Sequence, residues 1–318
     1  QSEKDGILSD DEYHWLVKRA EGGFAVVHTC AALAEASGQG FPGQLGVHDD
    51  RHLAGMSRLA EGISSQGAKG IVQLHHAGFR TPVDVALGGV PVSPSAEEKY
   101  HSRALKTNEV EHIIEQFVLS AERCQRAGFD CVEVHGAHSY LIAQFLSAKY
   151  NRRTDGFGGT LENRSRVLME ITSGIRERCG SEFIVGVRLS PEGFGVELDE
   201  MKTVFEWLVE SGWVNYIDLS LWDVRKTIND GNDLLIDQFM SLPRGDVMVG
   251  VAGHIYSGED AQWCLDRGAD FVLPGRAAIL HFDFAQRVMN DVNFKQVDLP
   301  VSRDYLRQQV LGEAFIDY

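Results

Sequence analysis

Two features of the sequence predict an α/β protein with the (β/α)8 TIM-barrel fold. Seven short apolar or β-branched runs alternate with helical patterns, which is typical of parallel strands joined by helical crossovers. The dinucleotide fingerprint G-x-G-x-x-G follows none of these runs, which disfavours a doubly wound Rossmann domain. The seven predicted strands are residues 24–31, 70–74, 130–135, 183–189, 215–221, 246–251 and 270–273.

Three of the helices between these strands have a recognisable start. Ser9, Asn108 and Ser257 each precede an acidic residue by three positions, as a side-chain cap facing an acidic first turn does. Residues 1–8 are too few to supply a strand and a turn before the first of these helices. We therefore number the visible strands two to eight, and we expect a first strand that precedes this chain in the natural protein and is missing here.

The strand pattern also divides the chain. Residues 1–290 are predicted to form a single barrel domain, because all seven strands lie within them. No further strand follows, so residues 291–318 are predicted to form a C-terminal tail with one short helix at 304–311.

Composition limits the classes of partner. The 318 residues include 46 acidic and 30 basic side chains, a net charge of −16, which repels nucleic-acid phosphates and anionic membrane surfaces. No apolar run approaches the ~18–20 residues of a membrane-spanning helix, and the polar residues 1–6 are unlike a secretory signal. We expect a cytoplasmic protein that acts on a small molecule and binds neither nucleic acid nor membrane. Homo-oligomer formation is left open.

The cysteines do not indicate a metal centre. No two of them form a C-x-x-C pair, the pattern typical of zinc sites and iron–sulfur clusters. Reduced thiols and no metal site are therefore predicted. The five cysteines are Cys30, Cys124, Cys131, Cys179 and Cys264.

The active site of a barrel forms where its parallel strands end and the following loops begin. Gly253 and Gly275 follow the last two predicted strands and each precedes a helix, where backbone N–H groups bind anions well. The glycines alone are compatible with tight turns. Their combination with Arg276, a charged donor, predicts a phosphate-binding site.

The end of the 130–135 strand carries His135, His138 and Tyr140. The two histidines could be metal ligands, but no third ligand at a usual spacing is evident. Neutral or protonated imidazoles that donate hydrogen bonds to a substrate oxygen fit equally well. Tyr140 favours the second interpretation, because a phenol can deliver a proton at neutral pH, although the same ring could simply pack in the barrel mouth.

Two polar residues lie inside otherwise apolar strands. Arg188 must meet either a carboxylate of the barrel or a polar ligand, because an unpaired buried charge is costly. Gln73 is either a hydrogen-bonded core amide or a ligand contact. The strand pattern does not decide between these alternatives.

A long ordered series of motifs resembles the old yellow enzyme family of FMN-dependent ene reductases. The series begins with HGAHSYL at 135–141 and QFLS at 144–147, and continues with NRRTD at 151–155, FGG at 157–159 and ENR at 162–164. GVRLS at 186–190 and Gly275-Arg276 recur at later strands. The resemblance covers roughly residues 5–290, and the His-x-x-His pair is similar to the bacterial branch of the family.

The resemblance implies a role for each candidate residue. FMN would be the cofactor of the barrel domain and NAD(P)H the hydride donor. His135 and His138 would bind the oxygen of the substrate's activating group, and Tyr140 would protonate the alkene. Residues 151–159 would form a supporting loop. The implied flavin contacts are Thr29, Gln73 and Arg188 at the ring system, and Gly253, Gly275 and Arg276 at the phosphate.

The activity that the resemblance implies is reduction of activated C=C bonds, as in enones and nitroalkenes. A hydride would pass from flavin N5 to the β-carbon, and Tyr140 would supply the proton. Two alternatives remain at this point. One is the barrel of a dienoyl-CoA reductase-like or other FMN oxidoreductase with a different substrate, and the other is a non-catalytic barrel that binds a phosphate ligand.

Overall fold

The computed structural model describes residues 2–228 and 231–317. The strands are β1 (Val26–His28), β2 (Ala32–Leu33), β3 (Lys69–His75), β4 (Val92–Ser93), β5 (Arg103–Ala104), β6 (Cys131–Gly136), β7 (Ile184–Leu189), β8 (Tyr216–Ser220), β9 (Met248–Ala252) and β10 (Phe271–Val272). The helices are α1 (Asp10–Glu21), α2 (Leu53–Ser64), α3 (Thr107–Arg126), α4 (Leu141–Leu146), α5 (Leu161–Cys179), α6 (Leu198–Ser211), α7 (Leu235–Met240), α8 (Gly258–Asp266), α9 (Arg276–Leu280), α10 (Phe284–Asn290), α11 (Arg303–Gln308) and α12 (Glu313–Ile316).

The main sheet is parallel and runs in the order β1-β3-β6-β7-β8-β9-β10, with β2 also paired to β3. The order of these strands in the sheet follows their order in the sequence, with helices between them, which is the connectivity of a (β/α) barrel. The predicted fold class is therefore confirmed. Within residues 2–228 and 231–317, no strand joins β1 to β10, so the described part of the sheet has two edges.

The strands in the middle of the sheet are mostly buried. Every residue of β6 is buried, and so is every residue of β3 after Lys69. Strands covered on both faces become continuous apolar runs in a sequence, which explains why the sequence located them. The polar residues that interrupt these runs include Glu133 in β6 and Asp218 in β8, two fully buried carboxylates inside the barrel.

Two of the three predicted helix starts are confirmed. Ser9 accepts a hydrogen bond from the Glu12 N–H, and Ser257 accepts one from the Asp260 N–H. The start predicted at Asn108 is wrong, because α3 already begins at Thr107. There the Glu109 carboxylate accepts the N–H of Lys106 at 2.7 Å, so the acidic side chain of the first turn satisfies the helix end.

The tail contains two short helices, α11 and α12, where the sequence predicts one at 304–311. Val310, with a φ of 62°, leaves the helical region of backbone space and ends the first of them. The tail packs on α1, since Arg19 Nη1 donates to the Gln309 carbonyl at 2.9 Å. The domain boundary at residue 290 stays a prediction. In the described part of the chain, no helix has the length and apolarity needed to cross a membrane.

Candidate active site

The turn after β6 has an unusual backbone. His138 and Ser139 lie in the left-handed region, with φ of 60° and 55°, which costs energy for residues other than glycine. Two side chains from neighbouring loops and one from α4 hold this turn. Ser190 Oγ accepts the His138 N–H at 3.0 Å, Arg80 Nη1 donates to the His138 carbonyl at 2.7 Å, and Gln144 Nε2 donates to the Ser139 carbonyl at 2.7 Å.

The turn brings the three predicted catalytic residues together. The His135 ring lies 5.2 Å from the His138 ring and 5.0 Å from the Tyr140 ring, measured between centroids. The His138 and Tyr140 rings are 6.4 Å apart. The cluster that the sequence predicts at one strand end is therefore present in space.

His135 is a neutral hydrogen-bond donor. Its Nδ1 accepts the N–H of Ala137 at 3.2 Å, so the ring proton must reside on Nε2. Burial lowers the pKa of His135 well below its ordinary value, and the neighbouring His75, His138 and Arg188 lower it further. At neutral pH the ring therefore presents one N–H and no charge.

His138 is neutral for the same reason. Burial, followed by the charges of Arg188 and Arg80, lowers the pKa of His138 to about 4. Its Nε2 lies 2.6 Å from Ser220 Oγ, and Arg188 Nη2 donates to the same oxygen at 3.3 Å. Ser220 therefore links the arginine of β7 to the second histidine of the turn.

A third histidine, His75, has a fixed tautomer. Gln44 accepts the Gly40 N–H on Oε1 and donates to the Ala31 carbonyl with Nε2, so its amide orientation is determined. The same Nε2 lies 3.0 Å from His75 Nδ1, which must therefore be the acceptor. His75 consequently carries its proton on Nε2, a buried atom without a hydrogen-bond partner in the described structure.

His75 also contacts the predicted proton donor. Its ring lies edge-on to Tyr140 at 4.3 Å and near His135 at 5.5 Å. Burial, with smaller contributions from His76, Arg80 and His138, lowers the pKa of His75 to about 3. Three neutral imidazoles therefore surround the Tyr140 phenol.

Arg188 meets the first of the alternatives left open by the sequence, a carboxylate of the barrel. Its Nε lies 3.0 Å from Asp218 Oδ2, so a barrel carboxylate balances its charge. The N–H does not point at this oxygen, however, and both the Arg188 Nε and the Asp218 carboxylate lack a directed hydrogen bond. Burial raises the pKa of Asp218 to about 6, although Arg188 opposes the shift. The arginine is thus held in place with hydrogen-bonding capacity unused.

Gln73 is part of a buried polar chain. Its Nε2 donates to Glu133 Oε1 at 2.7 Å, and the Tyr216 hydroxyl donates to Glu133 Oε2 at 3.1 Å. Thr29 Oγ1 accepts the Gln73 N–H at 3.2 Å, which places these two predicted flavin contacts side by side. Burial raises the pKa of Glu133, while the charge of Arg188 opposes this shift.

The predicted phosphate residues lie at the ends of β9 and β10. A Cβ added to Gly253 would stand 2.7 Å from the Trp222 carbonyl carbon, so only glycine fits there. Gly275 precedes α9 and has no heavy atom within 4 Å of its Cβ position, which leaves open space at the helix start. Arg276 donates to the Tyr256 hydroxyl at 2.9 Å, and no carboxylate pairs with it in residues 2–228 and 231–317.

A cavity of about 220 Å³ opens beside Ser220, between the loops that follow β7 and β8. It is smaller than the ~300–1,000 Å³ of drug-sized pockets and suits a small ligand. The residues that line it are Pro191, Glu192, Gly193, Phe194, Ser220, Leu221, Trp222, Lys226 and Leu235.

Several residues of this site are not identified from the sequence. Glu133 and Asp218 carry the signal that identifies Arg188, a charge inside an apolar strand, and the same rule finds them. Arg80 carries no comparable signal, because its position depends on the loop that follows β3. His75 is the last residue of β3, so its place at a strand end is a signal that the sequence does contain. No group of three or more His, Cys, Asp or Glu side chains in the described residues is arranged to hold a metal ion.

The fold is that of a (β/α) barrel, and hydrogen-bond donors stand at its mouth. The profile of the NADH:flavin oxidoreductase / NADH oxidase family matches residues 1–294, so the chain belongs to this family. It is 34% identical to the probable NADH-dependent flavin oxidoreductase YqiG of Bacillus subtilis, over 90% of this chain and 80% of that protein. The chain is therefore an NAD(P)H-dependent flavin oxidoreductase with FMN as its cofactor.

Two further comparisons agree with this assignment. The solved structure of the old yellow enzyme homologue from Zymomonas mobilis matches with a TM-score of 0.81 and 25% identity, over 96% of this chain and 91% of that one. The NADH:fumarate oxidoreductase of Klebsiella pneumoniae is 34% identical over 89% of this chain. This chain spans only 32% of that protein's length.

The residues present fit FMN. The unused Nε of Arg188 suits the anionic edge of a reduced flavin ring. At the other end, the first N–H groups of α9 have no partner within the helix, and Arg276 adds a cation, which suits a terminal phosphate. A ligand with a polar ring system and one phosphate is complementary to both ends.

The depressed pKa of His75 predicts a pH-dependent stability. A folded-state pKa of about 3, below the ordinary 6.5, means that the unfolded chain binds the proton first as pH falls, so stability is present above about pH 6.5 and is lost below it. Between pH 7 and pH 5, the wild type should lose about 2 kcal/mol more than His75→Gln, measured by urea unfolding. Exposed His112→Gln is the control and should behave as wild type. Equal losses in wild type and His75→Gln would contradict the assignment.

Proposed function

We propose that the protein reduces activated C=C bonds, as in enones and nitroalkenes, with NAD(P)H as the electron source. The observation that carries this proposal is the convergence of two neutral imidazoles and one phenol at the end of β6. Within the family, such a set of donors suits a substrate that needs its oxygen polarised and one carbon protonated.

His135 and His138 bind the oxygen of the activating group. His135 presents an Nε2–H by virtue of its tautomer, and His138 exchanges its contact with Ser220 for the substrate. Neutral donors polarise the oxygen without protonating it outright. Tyr140 then delivers a proton from its hydroxyl to the alkene carbon next to the activating group.

The remaining predicted residues bind the cofactor in this proposal. When bound, FMN accepts a hydride from NAD(P)H and supplies one to the alkene. Thr29 and Gln73 hold the polar edge of the ring system, and Arg188 supplies positive charge beside it. Gly253, Gly275 and Arg276 bind the phosphate.

Family membership leaves one of the earlier alternatives open. A non-catalytic phosphate-binding barrel is excluded, since the chain belongs to a family of oxidoreductases. A dienoyl-CoA reductase-like or other FMN oxidoreductase with a different substrate remains the rival. It predicts that simple enones are poor substrates compared with larger thioesters.

Tyr140→Phe tests the proton donor. The variant should leave reduction of the flavin by NAD(P)H nearly intact, because that step takes no proton from the phenol. Reduction of an enone by the reduced enzyme should slow by about 10²–10⁴-fold, the usual contribution of a positioned general acid. Stopped-flow absorbance measures the two half-reactions separately.

Tyr100→Phe is the matched control for this experiment, since Tyr100 stacks on Phe79 at 4.1 Å and belongs to no predicted site. It should change neither half-reaction. A Tyr140→Phe enzyme that reduces the enone at the wild-type rate would show that another group donates the proton.

Arg188 and Asp218 form a charge pair whose halves should act in opposite directions. Arg188→Met should lower the midpoint potential of bound flavin, because the reduced anion loses its counter-charge. Asp218→Asn should raise the potential, because Arg188 is then no longer neutralised. Spectroelectrochemical titration measures both shifts. Two shifts of the same sign, or no shift with flavin fully bound, would show that the pair lies away from the flavin.

A further inference from the structure

We propose that the site takes alkenes that carry a second, anionic group, such as unsaturated oxo-acids, and that Arg80 binds their carboxylate. This inference rests on the proposed alkene reduction and specifies its substrate class. The reaction breaks the C=C π bond and forms two C–H bonds, one with a hydride that originates from NAD(P)H and one with a proton. The products are NAD(P)⁺ and the saturated acid.

Arg80 is held at the mouth of the site. Its Nη1 donates to the His138 carbonyl at 2.7 Å, which anchors the guanidinium beside the left-handed turn. The guanidinium also lies over the Tyr140 ring, 4.9 Å from its centroid. A ligand that touches Tyr140 and the two histidines therefore lies within reach of this arginine.

The charge of Arg80 is not neutralised by the protein. Within residues 2–228 and 231–317 no carboxylate pairs with it, whereas Lys226, which lines the neighbouring cavity, is paired with Glu192 at 2.5 Å. Its other neighbours are the neutral imidazoles of His75 and His138 and the ring of Tyr140. In a protein with a net charge of −16, the Arg80 guanidinium is thus a cation at the mouth of the site that no described carboxylate pairs with.

His75 supplies an independent observation. Its side chain is almost fully buried, and its Nε2–H has no partner in the described residues, although a buried donor normally finds one. The ring lies 4.3 Å from the Tyr140 ring, whose face Arg80 covers. A ligand with a second acceptor group beside Tyr140 would engage both the arginine and this unused donor.

These positions suit a short, two-headed substrate. The centroid of the Tyr140 ring lies 5.0 Å from the His135 ring, 6.4 Å from the His138 ring and 4.9 Å from the Arg80 guanidinium, so one phenol borders both the histidines and the arginine. A short alkene that bears a carbonyl at one end and a carboxylate at the other would contact all of these groups. The histidines polarise the carbonyl oxygen, and the guanidinium offers a bidentate partner for the carboxylate.

The test compares trans-4-oxo-2-pentenoate with its methyl ester, two enones that differ in charge. The ratio of their kcat/KM values in the wild type should exceed the ratio in Arg80→Gln by about 10–100-fold, the range for loss of a hydrogen bond to a charged group. Arg80→Lys keeps the positive charge but loses the bidentate guanidinium, so its ratio of the two kcat/KM values should be intermediate. Arg51→Gln is the control, since Arg51 also donates to a carbonyl and lacks a carboxylate partner in the described chain, but contacts no residue of the site.

Binding of the saturated products, 4-oxopentanoate and its methyl ester, is measured by calorimetry with the same variants. This second readout separates the two hypotheses. If neither enone is reduced, the proposed function fails, while a charge preference in product binding that Arg80→Gln removes would still support the role of Arg80. An Arg80→Gln ratio equal to that of the wild type in both readouts would overturn the inference. The inference would also be overturned if Lys226→Gln, and not Arg80→Gln, removed the preference for the charged ligand. A selective loss of flavin reduction by NADPH over NADH in Arg80→Gln would likewise overturn it, because the arginine would then bind the nicotinamide cofactor.

Discussion

The strained turn at His138 and Ser139 is the feature on which the rest of the site depends. Its left-handed backbone follows β6 directly. The rings of His135, His138 and Tyr140 come together there, with centroids 5.0–6.4 Å apart. Three hydrogen bonds compensate for the strain. They involve Arg80 in the loop after β3, Ser190 in the loop after β7 and Gln144 in α4. The barrel thus acts as a rigid frame whose strand ends hold one unfavourable turn in place.

Burial then decides the chemistry of the side chains that the turn presents. Desolvation keeps His75, His135 and His138 neutral, and the nearby arginines act in the same direction. The arginines of this region differ in whether a carboxylate pairs with them. Arg188 is balanced by the buried Asp218, whereas Arg80 and Arg276 have no carboxylate partner among the residues that the structure describes. The positive charges therefore stand where anionic groups of ligands are expected.

The sequence predicts the barrel and much of the site, because buried parallel strands leave continuous apolar runs and the strand ends follow them directly. Arg188 and Tyr140 are predicted as site residues in this way. The start of α3 is missed because the Glu109 carboxylate caps the Lys106 N–H. The spacing of residues in the sequence does not show that this acidic side chain, and not Asn108, caps the helix. Arg80 is missed because its role arises only when the loop after β3 folds against the turn after β6. His75 ends β3, but its contact with Tyr140 depends on the same turn.

The protonation state of the histidines is the central claim, and ¹⁵N NMR of histidine-labelled protein tests it most directly. Between pH 5 and pH 8, His135 and His75 should each show a protonated Nε2 and an unprotonated Nδ1, as their contacts with the Ala137 N–H and the Gln44 amide require. A doubly protonated ring at either position near pH 6–7, or the opposite tautomer, would contradict the account, because the substrate oxygen would then meet a cation or an acceptor in place of a neutral donor.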